Sequence, residues 1–164
     1  GTMSGSSNYI IPSLSSGNFL TTNGSSMSWA GLSAQAGLRS IQVWTSNGTW
    51  SRPSGVETIS VTVTGAGGGG SGFTEAGGAG GTSKRVIDVT NVSSVSVTIG
   101  NPGGGTNYSG CGGNGNTSSF GSYCSASGGY GANCRQGRAG GVGGNGSGGH
   151  LNVYGCGGND HRRP

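Results

Sequence analysis

Glycine recurs at every third position across residues 137–149 (GRAGGVGGNGSGG), at Gly137, Gly140, Gly143, Gly146 and Gly149. A helix interior loses about 1 kcal/mol per glycine relative to alanine, and strands are weakened as well, so this run is built for another backbone geometry. Polyproline II has three residues per turn, which puts every third residue on one edge, and an all-glycine edge lets neighbouring main chains touch. Thirteen residues in that form would reach roughly 40 Å. Such a chain makes no internal hydrogen bonds, so its N–H and C=O groups need partners on adjacent glycine-edged segments or in water. Shorter runs at 65–72, 77–81, 100–105, 110–115, 128–131 and 155–158 offer those partners.

With 41 glycines and 4 prolines in 164 residues and only 29% hydrophobic residues, the composition alone would suit a disordered chain. The sequence between the glycine runs argues for order. Residues 59–64 (ISVTVT) and 95–99 (VSVTI) alternate apolar and hydroxyl side chains, the period-two signature of half-buried strands. Residues 84–90 (KRVIDVT) and 151–154 (LNVY) continue the theme, and Asn47-Gly48 between Trp44 and Trp50 predicts a tight hairpin turn. No window carries a helical stripe. The expected fold is all-β: a small antiparallel β unit from residue 41 to 164, with long glycine-rich excursions partly packed as polyproline II helices. Its aliphatic residues with Trp44, Trp50 and Phe120 make only a modest core, so close backbone packing, disulfides or oligomerisation must add to it.

The amino-terminal part reads differently. Residues 1–7 are small and polar, in the manner of an expression remnant. Residues 8–40 scatter Ile10, Ile11, Leu14, Phe19, Leu20, Met27, Trp29 and Leu32 among turn formers, too sparsely for a core of their own. Two readings fit, an extended stalk segment that buries these residues against other copies of itself, or a tether.

Residues 14–30 (LSSGNFLTTNGSSMSWA) followed by 41–70 (IQVWTSNGTWSRPSGVETISVTVTGAGGGG) resemble the junction of shaft and glycine-rich tip in tail fibres of tailed bacteriophages. Residues 115–129 (GNTSSFGSYCSASGG) and 140–155 (GGVGGNGSGGHLNVYG) are similar to the glycine-rich domain of that family. A more distant likeness runs to the glycine-rich adhesins of T-even-type phages. The resemblance implies a fibre-shaft segment that forms a homotrimer, a tip at the distal end of a virion tail fibre, and a bacterial surface receptor, either an outer-membrane protein or a lipopolysaccharide glycan. It implies no enzymatic activity and no cofactor. The four cysteines and the basic tail His161-Arg162-Arg163-Pro164 depart from the family pattern. The alternative role is a structural glycine-rich spacer that makes no receptor contact.

Cys111, Cys124, Cys134 and Cys156 all stand beside glycine, serine or asparagine in the carboxy-terminal third. Three pairings are open, and any of them would staple loops that lack a core. No C-x-x-C pair is present and His150 alone does not complete a zinc signature, so no metal site is expected. The formal charge of +4 is carried by scattered residues, which disfavours nucleic-acid binding, and no apolar run reaches the roughly 18 residues needed to cross a membrane. Recognition favours Tyr and Arg on loops between rigid elements. On that ground the receptor-binding candidates are Asn107, Tyr108, Tyr123, Tyr130, Asn133 and Arg135, with packing across glycine edges as the competing role of Tyr123 and Tyr130.

Overall fold

A computed structural model describes residues 18–22, 27–31, 40–72, 75–107, 110–134 and 139–159. The chain divides into two compact units, 1–42 and 43–164. In the first, β1 (Asn18–Thr22) and β2 (Met27–Gly31) form an antiparallel pair with Leu20 opposite Trp29. Residues 8–17, 23–26 and 32–39 of the predicted shaft segment, and the predicted remnant at 1–7, lie outside the described residues.

The second unit is all-β, with two antiparallel sheets and no helix among the described residues. One sheet has the order β10 (Leu151–Val153), β5 (Thr82–Asp88), β4 (Thr58–Thr64). The other runs β3 (Gly48–Ser51), β6 (Ser94–Thr98), β7 (Ser118–Phe120), β8 (Cys124–Ala126), β9 (Gly146–Ser147). The two alternating sequence segments are therefore strands of different sheets. Their inward residues meet in one apolar core, where Val63 and Ile87 pack with Trp50, Val89, Val95, Val97 and Phe120. Trp50 and Phe120 meet edge to face with centroids 5.8 Å apart, a favoured aromatic geometry.

The Asn47-Gly48 hairpin does not form. Gly48 instead begins β3, whose partner β6 lies far along the chain, and Asn47 turns its Oδ1 to accept the Ile99 N–H at 2.7 Å. A Cβ on Gly48 would lie 2.4 Å from the Trp44 ring, so this glycine serves a side-chain contact and not a turn. Sequence-local turn chemistry has yielded here to a long-range pairing.

Beyond the sheets the glycine runs pack as seven extended segments, residues 65–71, 75–81, 100–106, 111–116, 127–133, 139–145 and 154–159, in which main chain bonds to main chain at every third residue. Gly65, Gly68 and Ser71 donate to the carbonyls of Gly81, Gly78 and Glu75, each at 2.9 Å. Ser127, Tyr130 and Asn133 donate in the same rhythm to Asn145, Val142 and Ala139. Neighbour relations arrange the segments in two staggered rows: 154–159, 75–81, 65–71, 100–106 in one and 139–145, 127–133, 111–116 in the other. The stagger shows in segment 127–133, where Gly129 donates to Ala66 across the rows while Tyr130 accepts from Gly78. Such bonding accounts for backbone groups that no sheet ladder serves.

Only glycine permits this spacing. A Cβ on Gly129 would sit 2.0 Å from the Gly78 carbonyl oxygen, and one on Gly68 2.1 Å from that of Tyr130. The sequence period is read out directly, because Gly140 and Gly143 both face segment 154–159, with hypothetical Cβ atoms 2.1 Å and 1.8 Å from the carbonyls of Gly158 and Gly155. The run is shorter than its glycine spacing suggests. After Asn145 the chain enters β9 and turns at Gly148, whose φ of 75° lies in the left-handed region that glycine tolerates.

Arg85, on the inward face of β5, ties the two sheets together. Its Nη1 donates to the carbonyls of Tyr123 at 2.6 Å and Gly148 at 2.9 Å, and its guanidinium lies 5.9 Å from the centre of the Tyr123 ring. Replacing Arg85 with Ala strands two carbonyls and removes the cation–π contact, with an expected loss of about 2–3 kcal/mol in chemical denaturation. Arg85→Lys restores less than half of this, because an ammonium is a compact, strongly hydrated charge that does not stack on the Tyr123 ring as the planar guanidinium does.

Candidate functional site

Three glycine-rich excursions leave from a strand and come back to one. Strand β4 runs into 65–71 and the chain returns through 75–81 into β5; β6 runs into 100–106 and returns through 111–116 to β7; β8 runs into 127–133 and returns through 139–145 to β9. Segment 154–159 leaves β10 in the same sense. The consequence is topological: the described residues that flank the three connections, Gly72 and Glu75, Asn107 and Gly110, Cys134 and Ala139, lie at the end of the lattice remote from the sheets, and residue 159 is carried to that same end.

Asn107 and Asn133 are exposed at this remote end. Asn133 closes its connection by donating its N–H to the Ala139 carbonyl at 3.0 Å. Tyr108 and Arg135 belong to the same two connections but lie outside the described residues. The cysteine pairing is resolved here, as Cys111 and Cys134 form a disulfide with Cα atoms 4.5 Å apart. Gly112 donates to the Ala132 carbonyl immediately below it, and the Cys134 N–H points at Cys111 Sγ at 3.4 Å. The bond thus joins the feet of the two connections that carry Asn107 and Asn133.

Cys124 and Cys156 remain free thiols. Burial in the sheet core pushes the Cys124 thiol above its ordinary range, with the charge of Arg85 opposing the shift. Cys156 is exposed on the outermost segment of its row.

The remaining tyrosines are separated from that end. Tyr130 is 56% exposed and stands on the open side of segment 127–133, where the next residue, Gly131, donates its N–H to Asn114 Oδ1 at 2.9 Å. Tyr123 lies at the sheet end of residues 43–164, in the turn between β7 and β8, half-buried with its ring 6.2 Å from that of Phe120 and under the Arg85 guanidinium. The six candidates therefore do not form one cluster.

Sequence reasoning passed over Glu75. This carboxyl is only 2% exposed at the turn between segments 65–71 and 75–81, where Oε2 accepts from the Ser71 hydroxyl and Oε1 meets no hydrogen-bond partner among the described residues. One signal was available, a lone acid set between two glycine runs in a chain with four acidic residues.

Residues 42–162 match the model of a family described as a glycine-rich domain. No curated protein and no solved structure matches the chain.

Proposed function

The chain belongs to the glycine-rich domain family, and we propose that it works as the tip of a phage tail fibre, a receptor-binding adhesin that holds the virion to a bacterial surface by contact and catalyses nothing. The observation that carries this reading is the common direction of the excursions, each turning at the end remote from the sheets. A lattice of main chain bonded to main chain is a stiff support, and binding residues collect on loops that rigid elements hold in place. The three-residue rhythm of the bonds fits polyproline II segments. Asn107 and Asn133, together with Tyr108 and Arg135 in the same connections, supply amide, phenol and guanidinium groups. Those groups suit either the hydroxyls and ring faces of a surface glycan or a polar patch of an outer-membrane protein. Tyr130 would extend the contact down one side, while Tyr123 serves packing.

In this reading residues 8–40 belong to the shaft and associate as a homotrimer, so that three tips share one fibre end. The purified chain is expected to bind cells of the host strain and to compete with phage in a plaque assay. Asn107→Ala should weaken cell binding at least tenfold while leaving the melting temperature unchanged, since its side chain is exposed. A chain that folds, yet neither binds cells nor competes with phage, would instead be a structural spacer.

A further inference from the structure

We propose that the outer edge of β4 pairs with β4 of a second copy of this chain, antiparallel about a twofold axis through Val61. Strand order leaves β4 at the rim of its sheet. Which of its backbone groups face outward follows from β5. The Val86 N–H is directed toward β10, where it meets His150 Nδ1 at 3.4 Å, so by the alternation of an antiparallel ladder Ser83, Arg85 and Ile87 are the residues that face β4. Their register partners are Val63, Val61 and Ile59. The N–H and C=O groups of Thr58, Ser60, Thr62 and Thr64 therefore point away from the sheet. Among the described residues, none of these groups has a backbone partner.

Among the described residues of 43–164, nothing guards this edge. Natural sheets blunt their edges with short strands, charges, proline or bulges, and the other outer strands of residues 43–164 follow that rule at 4, 2 and 3 residues for β3, β9 and β10. Strand β4 has 7 residues, TISVTVT, with no charge and no proline.

The occupant is set by the strand's own symmetry. Laid antiparallel on itself about Val61, β4 opposes Thr58 to Thr64, Ser60 to Thr62 and Ile59 to Val63, so that hydroxyl always meets hydroxyl and aliphatic always meets aliphatic. Thr58, Ser60, Thr62 and Thr64 are then the hydrogen-bonded positions, matching the groups left open, and cross-strand pairs of this kind stabilise a sheet. Ile59 and Val61, only half-buried in one copy, would cover each other's flanks. A twofold contact of this type uses both edges at once and closes, which gives a pair and not a filament. The pairing is independent of the attachment role and of any association by residues 1–42.

The test reads the register in the full chain, in a Cys156→Ser background with oxidised glutathione as oxidant. Val61→Cys places a thiol on the axis, opposite its copy at the roughly 4.5 Å Cα separation of a non-hydrogen-bonded pair, within disulfide reach. A cross-linked dimer is expected on a non-reducing gel. Ile59→Cys, which opposes residue 63, should give at least tenfold less. Equal yields from both, or none from either, would overturn the pairing, whatever the oligomeric state. Charges give a second reading that does not depend on a cysteine. Ser60→Lys with Thr62→Glu sets unlike charges across the axis and should keep the contact, whereas Ser60→Lys with Thr62→Lys sets like charges and should reduce Val61→Cys cross-linking at least tenfold. If the two charge pairs behave alike, the twofold register is wrong.

Discussion

Gly78→Ala lowers the stability of the glycine-rich unit by about 3–5 kcal/mol. The added methyl would lie 2.1 Å from the Val142 carbonyl oxygen and 2.5 Å from its carbon, far inside ordinary contact at 3.4 Å and above. Both atoms are main chain, so no side chain can swing aside. Segment 75–81 would have to move off segment 139–145, and in doing so it strains the bonds that Gly78 makes to the Tyr130 carbonyl at 2.8 Å and accepts from Gly68 at 2.9 Å. Overpacking of a tight interior costs about 1–3 kcal/mol, and each hydrogen bond lost adds roughly 1 kcal/mol. The sum is about 3–5 kcal/mol, against a total near 5–15 kcal/mol for a domain of ordinary stability.

The control reverses the sign. A Cβ on Gly104 meets nothing within 4 Å, and one on Gly67 has its nearest atom at 3.9 Å. Neither glycine has a positive φ. Alanine at either site should therefore stabilise by about 0.4–1 kcal/mol, because it restricts the unfolded chain more than the folded one. Thermal melts of the full chain followed by circular dichroism decide the matter. A Gly78→Ala protein that melts within a few degrees of the parent would show that the lattice is not close-packed.

That contrast between glycines bears on how much of the molecule can be read from its sequence. The strands could be found because their signals are local: β4, β6 and β10 fall on segments that alternate with a period of two, and β5 on one rich in β-branched residues. The glycine spacing at 140 and 143 likewise announced an edge, and both residues do face one neighbouring segment. What local pattern cannot supply is which segment that is. The row order places 65–71 beside 75–81 and also beside 100–106 and 111–116, choices fixed by strand pairings far apart in the chain. The failed hairpin at Asn47 has the same origin, since β6 offered β3 a longer ladder than a two-residue turn could. Tyr108 and Tyr123 looked equivalent in the sequence, each a tyrosine between glycine-rich stretches. Only the return of 111–116 into β7 puts Tyr123 at the sheet end, against Phe120 and Arg85.

Reduction of the Cys111–Cys134 bond should lower stability by about 3 kcal/mol and act first on the end of the lattice remote from the sheets. The two cysteines are 23 residues apart, and closing a loop of that size removes roughly that much conformational free energy from the unfolded chain. The loss is not spread evenly. The bond joins the outer ends of segments 111–116 and 127–133, where the Gly112 bond to Ala132 and the Asn133 bond to Ala139 lie beside it. Amide exchange in the reduced protein should accelerate at Gly112 and Asn133, while Val95 and Val97, buried between the sheets, stay protected. Thiol titration checks the premise. Without reductant the native protein should show one fast thiol, Cys156, with Cys124 reacting only on unfolding because its buried thiol resists ionisation. A Cys156→Ser variant should melt as the parent does, whereas Cys111→Ala should reproduce the reduced protein. If the attachment role holds, reduction also weakens cell binding, since Asn107 and Asn133 lose the support that joins their connections. Assembled in a reducing cytosol, such a tip would stiffen only after release into an oxidising medium. Three reactive thiols in the native, unreduced protein would remove the staple and with it this account of how the remote end is held.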